Sequence, residues 1–122
     1  MYVVEPVEKS EKAIIVLHDV FGPDSGRTKL ISDSYADRGY HVMMPSLLRN
    51  EPWPEEPATG WGKIPQLFRM LRWLSHNKWK YIDHLLHEHV FPYARDTCGI
   101  KSIGLACFCW GKFLFFIILE LI

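Results

Sequence analysis

The sequence has no excess of either charge: Lys and Arg together number 14, and so do Asp and Glu. A neutral chain gains little by displacing counterions from a phosphate backbone, so nucleic acid is not an expected partner. Cysteine is scarce, with Cys98, Cys107 and Cys109 as the full set. Three such thiols make no disulfide framework, and charged and polar residues stand where a secretory leader needs an apolar segment, so a reducing, cytoplasmic compartment is expected. Long hydrophobic runs are missing too. The most apolar stretch, FLFFIILELI at 113–122, has about half the length of a bilayer-spanning helix and contains Glu120. It is expected to be buried in protein, with no membrane as partner. Internal repeats and low-complexity tracts are also absent.

What remains is ordinary core material: 48% hydrophobic and 23% charged residues in 122, which suits one soluble domain over 1–122. AIIVLHD (13–19) is a continuous apolar run rich in β-branched residues, the pattern of a strand buried on both faces. Gly22, Pro23 and Gly26 then break it, and Asp24 or Ser25 offers a side-chain oxygen to cap a helix starting near Gly26 or Arg27. Leu30, Ile31, Tyr35 and either Ser34 or Ala36 recur at helical spacing, Gly39 supplies a stop, and YHVMMP (40–45) is the next strand.

From Leu47 to Trp61 closely spaced prolines predict a long loop, with Trp53 and Trp61 packed in it or lining an entrance. IPQLFRMLRWL (64–74) and the segment 77–96 read as helices, the second with Ile82, Leu85, Leu86 and Val90 as its apolar stripe and Pro92 as a bend or end. SIGLACF (102–108) is a third strand. This order predicts an α/β fold with a mostly parallel sheet and flanking helices. In open parallel sheets the working groups lie at the carboxyl ends of the strands, which here are Asp19 to Gly22 and Cys107 to Gly111.

CFCWG (107–111) has the form of a nucleophile elbow: a strand, a residue wanted small, the nucleophile Cys109, and a glycine two positions on. Helix-start amides stabilise an anion at such a turn, and the amide of Trp110 is placed to help bind an oxyanion. Cys107 is expected to pack at the strand end. A metal-binding reading of C-x-C lacks further ligands at a useful spacing. His84 and His87 in HLLHEH share a helix face, but a solvated face is the expected reading.

VLHDVFGPDSGRTKLISDSYADRGYHVMMPSLL, the EPW loop and IGLACFCWGK together resemble the dienelactone hydrolase family of carboxymethylenebutenolidase-like α/β-hydrolases, over nearly the whole span from Val3 to Lys112. The resemblance implies a partial α/β-hydrolase fold that ends just after the elbow. It also implies cleavage of a small-molecule lactone or ester through a cysteine nucleophile and an acyl-enzyme, with no cofactor. Cys109 falls on the nucleophile and Trp110 on the residue whose backbone amide serves the oxyanion hole. Asp19 falls on the acid beside the resting thiol, and Val20 on the second oxyanion amide.

The sequence also departs from that pattern. Cys107 and Lys112 occupy positions where the family usually has small residues, and Pro45-Ser46 stands where it has Pro-Asp. The fold's triad order is nucleophile, acid, histidine, yet after Cys109 only Glu120 and no histidine follow. The chain is therefore expected to be a truncated member, inactive by itself. Two further readings stay open: a substitute base at His18, although strand alternation points it away from Asp19, and a non-catalytic remnant that binds a partner.

Overall fold

The computed structural model describes residues 1–48, 68–69, 72–73 and 79–109. Among these, four strands appear: β1 (Tyr2–Val4), β2 (Lys12–Leu17), β3 (His41–Met44) and β4 (Ser102–Cys107). They form one sheet in the order β1-β3-β2-β4. β2 runs parallel to both β3 and β4, whereas β1 pairs antiparallel with β3, Tyr2 opposite Met44. The three strands expected from apolar runs are all present. β1 went unpredicted because three residues of sequence carry no readable period.

Both faces of the central strands are covered, which is why β3 is buried throughout and β2 reads as an unbroken apolar run. On one face Ala13, Ile15, Leu17 and Met43 pack with Leu47, Ile82, Leu86 and Val90. On the other, Val16, Val42 and Met44 pack with Ala36, with Tyr35 and Phe108 against them. This is the layered α/β arrangement expected from the element order.

Helix α1 (Thr28–Ala36) keeps its expected face at Tyr35 and Ala36 and departs from it at Leu30. Leu30 is 66% exposed, and the buried positions are Thr28, Ser32 and Ala36. Small side chains at i, i+4 and i+8 let the helix lie close to the sheet, and the Ser32 hydroxyl donates to the Thr28 carbonyl at 2.9 Å, so its burial leaves no orphan. The expected cap is also corrected: Arg27 is the N-cap, without a side-chain bond, because Ser25 is engaged elsewhere. Gly39 does end the helix. Its φ of 87° lets the Tyr40 amide reach back to the Tyr35 carbonyl at 3.2 Å.

Helix α2 (Trp79–Leu85) runs on through wider π turns at Leu86–Val90 and Tyr93–Thr97. Pro92 therefore does not end it, and keeps helical dihedrals of −61° and −44°. Proline lacks an amide and crowds the carbonyl four residues back. Turns closed five residues apart, Phe91 to Leu86 and Cys98 to Tyr93, take up that mismatch. Ile82, Leu86, Val90 and Ala94 form the buried stripe.

The Trp53 and Trp61 loop, most of the first predicted helix and the apolar tail lie outside the described residues. Among the described residues, no helix is long and apolar enough to cross a membrane.

Candidate active site

Two parallel strands end side by side. β2 and β4 are in register with Leu17 opposite Cys107, and the Phe108 amide continues the pairing to the Leu17 carbonyl at 3.0 Å. Two residues beyond the last registered pair stand Asp19 on one chain segment and Cys109 on the other. The sheet thus delivers the predicted acid and the predicted nucleophile to the same carboxyl-end rim.

After β2 the backbone closes a β-turn, with the Gly22 amide donating to the Asp19 carbonyl at 3.3 Å. The Asp19 carboxylate braces the same turn. One of its oxygens, Oδ1, accepts the Phe21 amide at 2.9 Å and the Ser25 hydroxyl at 3.0 Å. Ser25 also donates to the Gly22 carbonyl at 3.1 Å. Val20 is the second residue of this turn and half-buried. A β-turn closes on the amide of its fourth residue and does not use that of its second. Sequence reasoning missed Ser25, because serine before a helix is more often read as a cap.

His18 is fully buried. Its Nε2 lies 3.0 Å from the Leu47 amide, which can only donate, so Nε2 is the bare nitrogen. Nδ1 therefore carries the proton and donates to the Asp19 carbonyl at 2.7 Å. Burial pushes the imidazole pKa below its ordinary value, outweighing the upward pull of the Asp19 carbonyl and of the Asp19 and Asp24 carboxylates. The substitute-base reading of His18 is thereby overturned. Both ring nitrogens are occupied, and the ring is closed off from solvent.

Cys109 sits past the end of β4 with a φ of 48°, the one non-glycine residue with positive φ among those described, and it is exposed. An L-residue in this region costs about 1 kcal/mol or more. A strand followed by a strained, exposed residue is the backbone shape of a nucleophile elbow. Cys107, by contrast, is half-buried, and burial pushes its thiol pKa up. Trp110, whose amide was expected to serve the oxyanion, lies outside the described residues. His84, His87 and His89 line the exposed side of α2, where His87 contacts Asp83 at 3.2 Å. Among the described residues no cluster of three metal-ligating side chains occurs.

Comparison with known proteins follows the same outline. The family model described as dienelactone hydrolase family matches residues 1–120. A carboxymethylenebutenolidase homolog from Rattus norvegicus is 31% identical over 111 residues, which is 90% of this chain and 42% of that protein. The homolog from Homo sapiens is 30% identical with the same coverage. Hydrolase pyvD from Aspergillus violaceofuscus is 30% identical over 112 residues, 91% of this chain and 42% of its own length. The chain thus spans less than half the length of these relatives. No solved structure matches it.

Proposed function

The chain belongs to the dienelactone hydrolase family, and from that premise we propose that its site performs the acylation half of lactone or ester cleavage at Cys109. The single observation that carries this is the exposed thiol held at positive φ where β4 ends, beside the Asp19 turn. The Cys109 thiolate attacks the carbonyl carbon, and the π electrons move to oxygen. The amides of Val20 and Trp110 take up that oxyanion charge. Collapse of the tetrahedral adduct breaks the carbon–oxygen bond, the alcohol leaves with a proton from solvent, and a thioester remains on Cys109. Water then attacks the thioester, regenerating the thiol and releasing the acid.

That second half needs a general base. His18 is committed to structure, and no histidine follows Cys109 in these residues. For the 122 residues by themselves we expect stoichiometric acylation with little or no turnover. The proposed substrate is a small lactone or ester, handled in a reducing, cytoplasmic compartment that preserves the free thiol. The test is mass spectrometry after brief exposure to p-nitrophenyl acetate. The expected product is a single acetyl group on Cys109, formed faster than on Cys98 or Cys107, and equal slow labelling of all three thiols would sink the proposal.

A second reading is favoured by β4, which lies at the edge of the described sheet. Ile103 and Leu105 on that strand line an open cavity of about 600 Å³ together with Phe91 and Arg95. A strand so placed suits a fragment that pairs with another chain. Absence of Cys109 acylation, combined with a higher mass in sedimentation, would favour this reading over the first.

A further inference from the structure

We infer that His18 is a positioning residue for the oxyanion site: its ring grips the Asp19 carbonyl and thereby fixes the direction of the Val20 amide. The inference rests on the acylation chemistry proposed for Cys109. Its geometric basis is the planarity of the peptide bond. The Asp19 carbonyl and the Val20 N–H belong to one rigid trans unit and point in opposite directions, so whatever holds the carbonyl also aims the amide.

Two donors hold that carbonyl. The Gly22 amide, which closes the turn, lies at 3.3 Å, the long end of hydrogen-bond range. The His18 Nδ1–H lies at 2.7 Å and is the shorter bond. The ring itself cannot swing, because the Leu47 amide holds its other nitrogen at 3.0 Å and the side chain is fully buried. Leu47 follows β3, so the clamp ties the β2 turn to the end of the neighbouring strand. Rotation of the Asp19–Val20 peptide would break the shorter bond and bury an unpaired imidazole N–H. It would also turn a carbonyl oxygen toward the place where negative charge develops.

Three variants separate this clamp from a general packing role. His18→Asn keeps an N–H near the Nδ1 position. His18→Gln keeps an acceptor near the Nε2 position, and His18→Phe keeps neither. Each is treated with p-nitrophenyl acetate, which needs oxyanion stabilisation, and with iodoacetamide, which does not. Ester acylation of Cys109 is expected to fall about tenfold in His18→Gln and His18→Phe, a fraction of the loss seen when an oxyanion donor is deleted outright. His18→Asn should stay within about twofold of the parent, and alkylation should be unchanged in all three.

Parent-like acylation in His18→Phe, or parallel losses with both reagents, would overturn the clamp. So would better performance by His18→Gln than by His18→Asn. If the parent itself fails to acylate, the hydrolase reading falls, and the clamp is then judged by the Val20 amide resonance. That resonance should hold its position in His18→Asn and move in His18→Gln; the reverse order rejects the clamp.

Discussion

The ends of β2 and β4 lie side by side and are built in opposite ways. The β2 end is braced at several points: Asp19 holds Phe21 and Ser25, Ser25 holds Gly22, and His18 joins the turn to Leu47. The β4 end has an exposed cysteine in a backbone region that L-residues avoid. The contrast separates two requirements of an attacking site. Groups that receive developing charge gain from rigidity, since a fixed dipole needs no reorganisation. A nucleophile must project from the surface, and a strained turn achieves that at the cost of stability.

Removing the projecting thiol should give the largest effect. Cys109→Ala is expected to abolish ester acylation, at least about a hundredfold below the parent, while the fold persists. Residual acetylation at parent rates, mapped to another residue by peptide mass analysis, would place the nucleophile elsewhere.

Loosening the braced end comes next. Asp19→Ala removes an acceptor for two donors, the Phe21 amide and the Ser25 hydroxyl. Urea unfolding should show a loss of about 2 kcal/mol. A change below a few tenths would mean that solvent bonds those donors equally well.

Relaxing the strained end should move stability the other way. Glycine adopts positive φ freely, so Cys109→Gly is expected to raise stability by up to about 1 kcal/mol while removing the thiol. A lower melting temperature for this variant would show that the Cys109 side chain contributes packing that outweighs the strain.

The smallest effect is that of pH on the clamp. His18 is neutral in the fold, with its pKa lowered first by burial against the upward pull of Asp19 and Asp24. Below the ordinary histidine value the unfolded chain takes up this proton more readily than the folded one. Its contribution is therefore complete above about pH 6.5. It declines as pH falls from there toward the lowered folded value, with no further change beneath it. Denaturation at stepped pH should show this slope in the parent and not in His18→Phe.

Much of this was legible in the sequence. Continuous apolar runs marked β2 and β3, because strands buried on both faces tolerate few polar residues, and a similar run marked β4 although that strand is only partly buried. The stripe Ile82, Leu86 and Val90 marked the buried side of α2. Other features were not legible. Leu30 looked like core, whereas the sheet accepts the small face Thr28, Ser32 and Ala36. Spacing says which residues share a helix face, but the space left by the neighbouring layer chooses the face. Pro92 looked like a bend or an end, because a residue code does not show that adjacent turns have widened. Ser25 looked like a cap, because its actual acceptor, Asp19, is known only once the turn is built.

By itself the sequence determined that a nucleophile-type residue would follow a strand at Cys109 and an acid would follow a strand at Asp19. Local order alone carries those facts. Tertiary structure decided that the two strand ends share one rim: β4 pairs with β2 in parallel, Leu17 opposite Cys107, although β3 lies between them in the chain. Strand neighbours and register are set by burying both sheet faces at once, and no single segment encodes that. It also decided what His18 is. In the sequence His18 left a substitute base open, although strand alternation turned it away from Asp19. Only the folded positions of the Asp19 carbonyl and the Leu47 amide occupy both of its nitrogens and make it a brace.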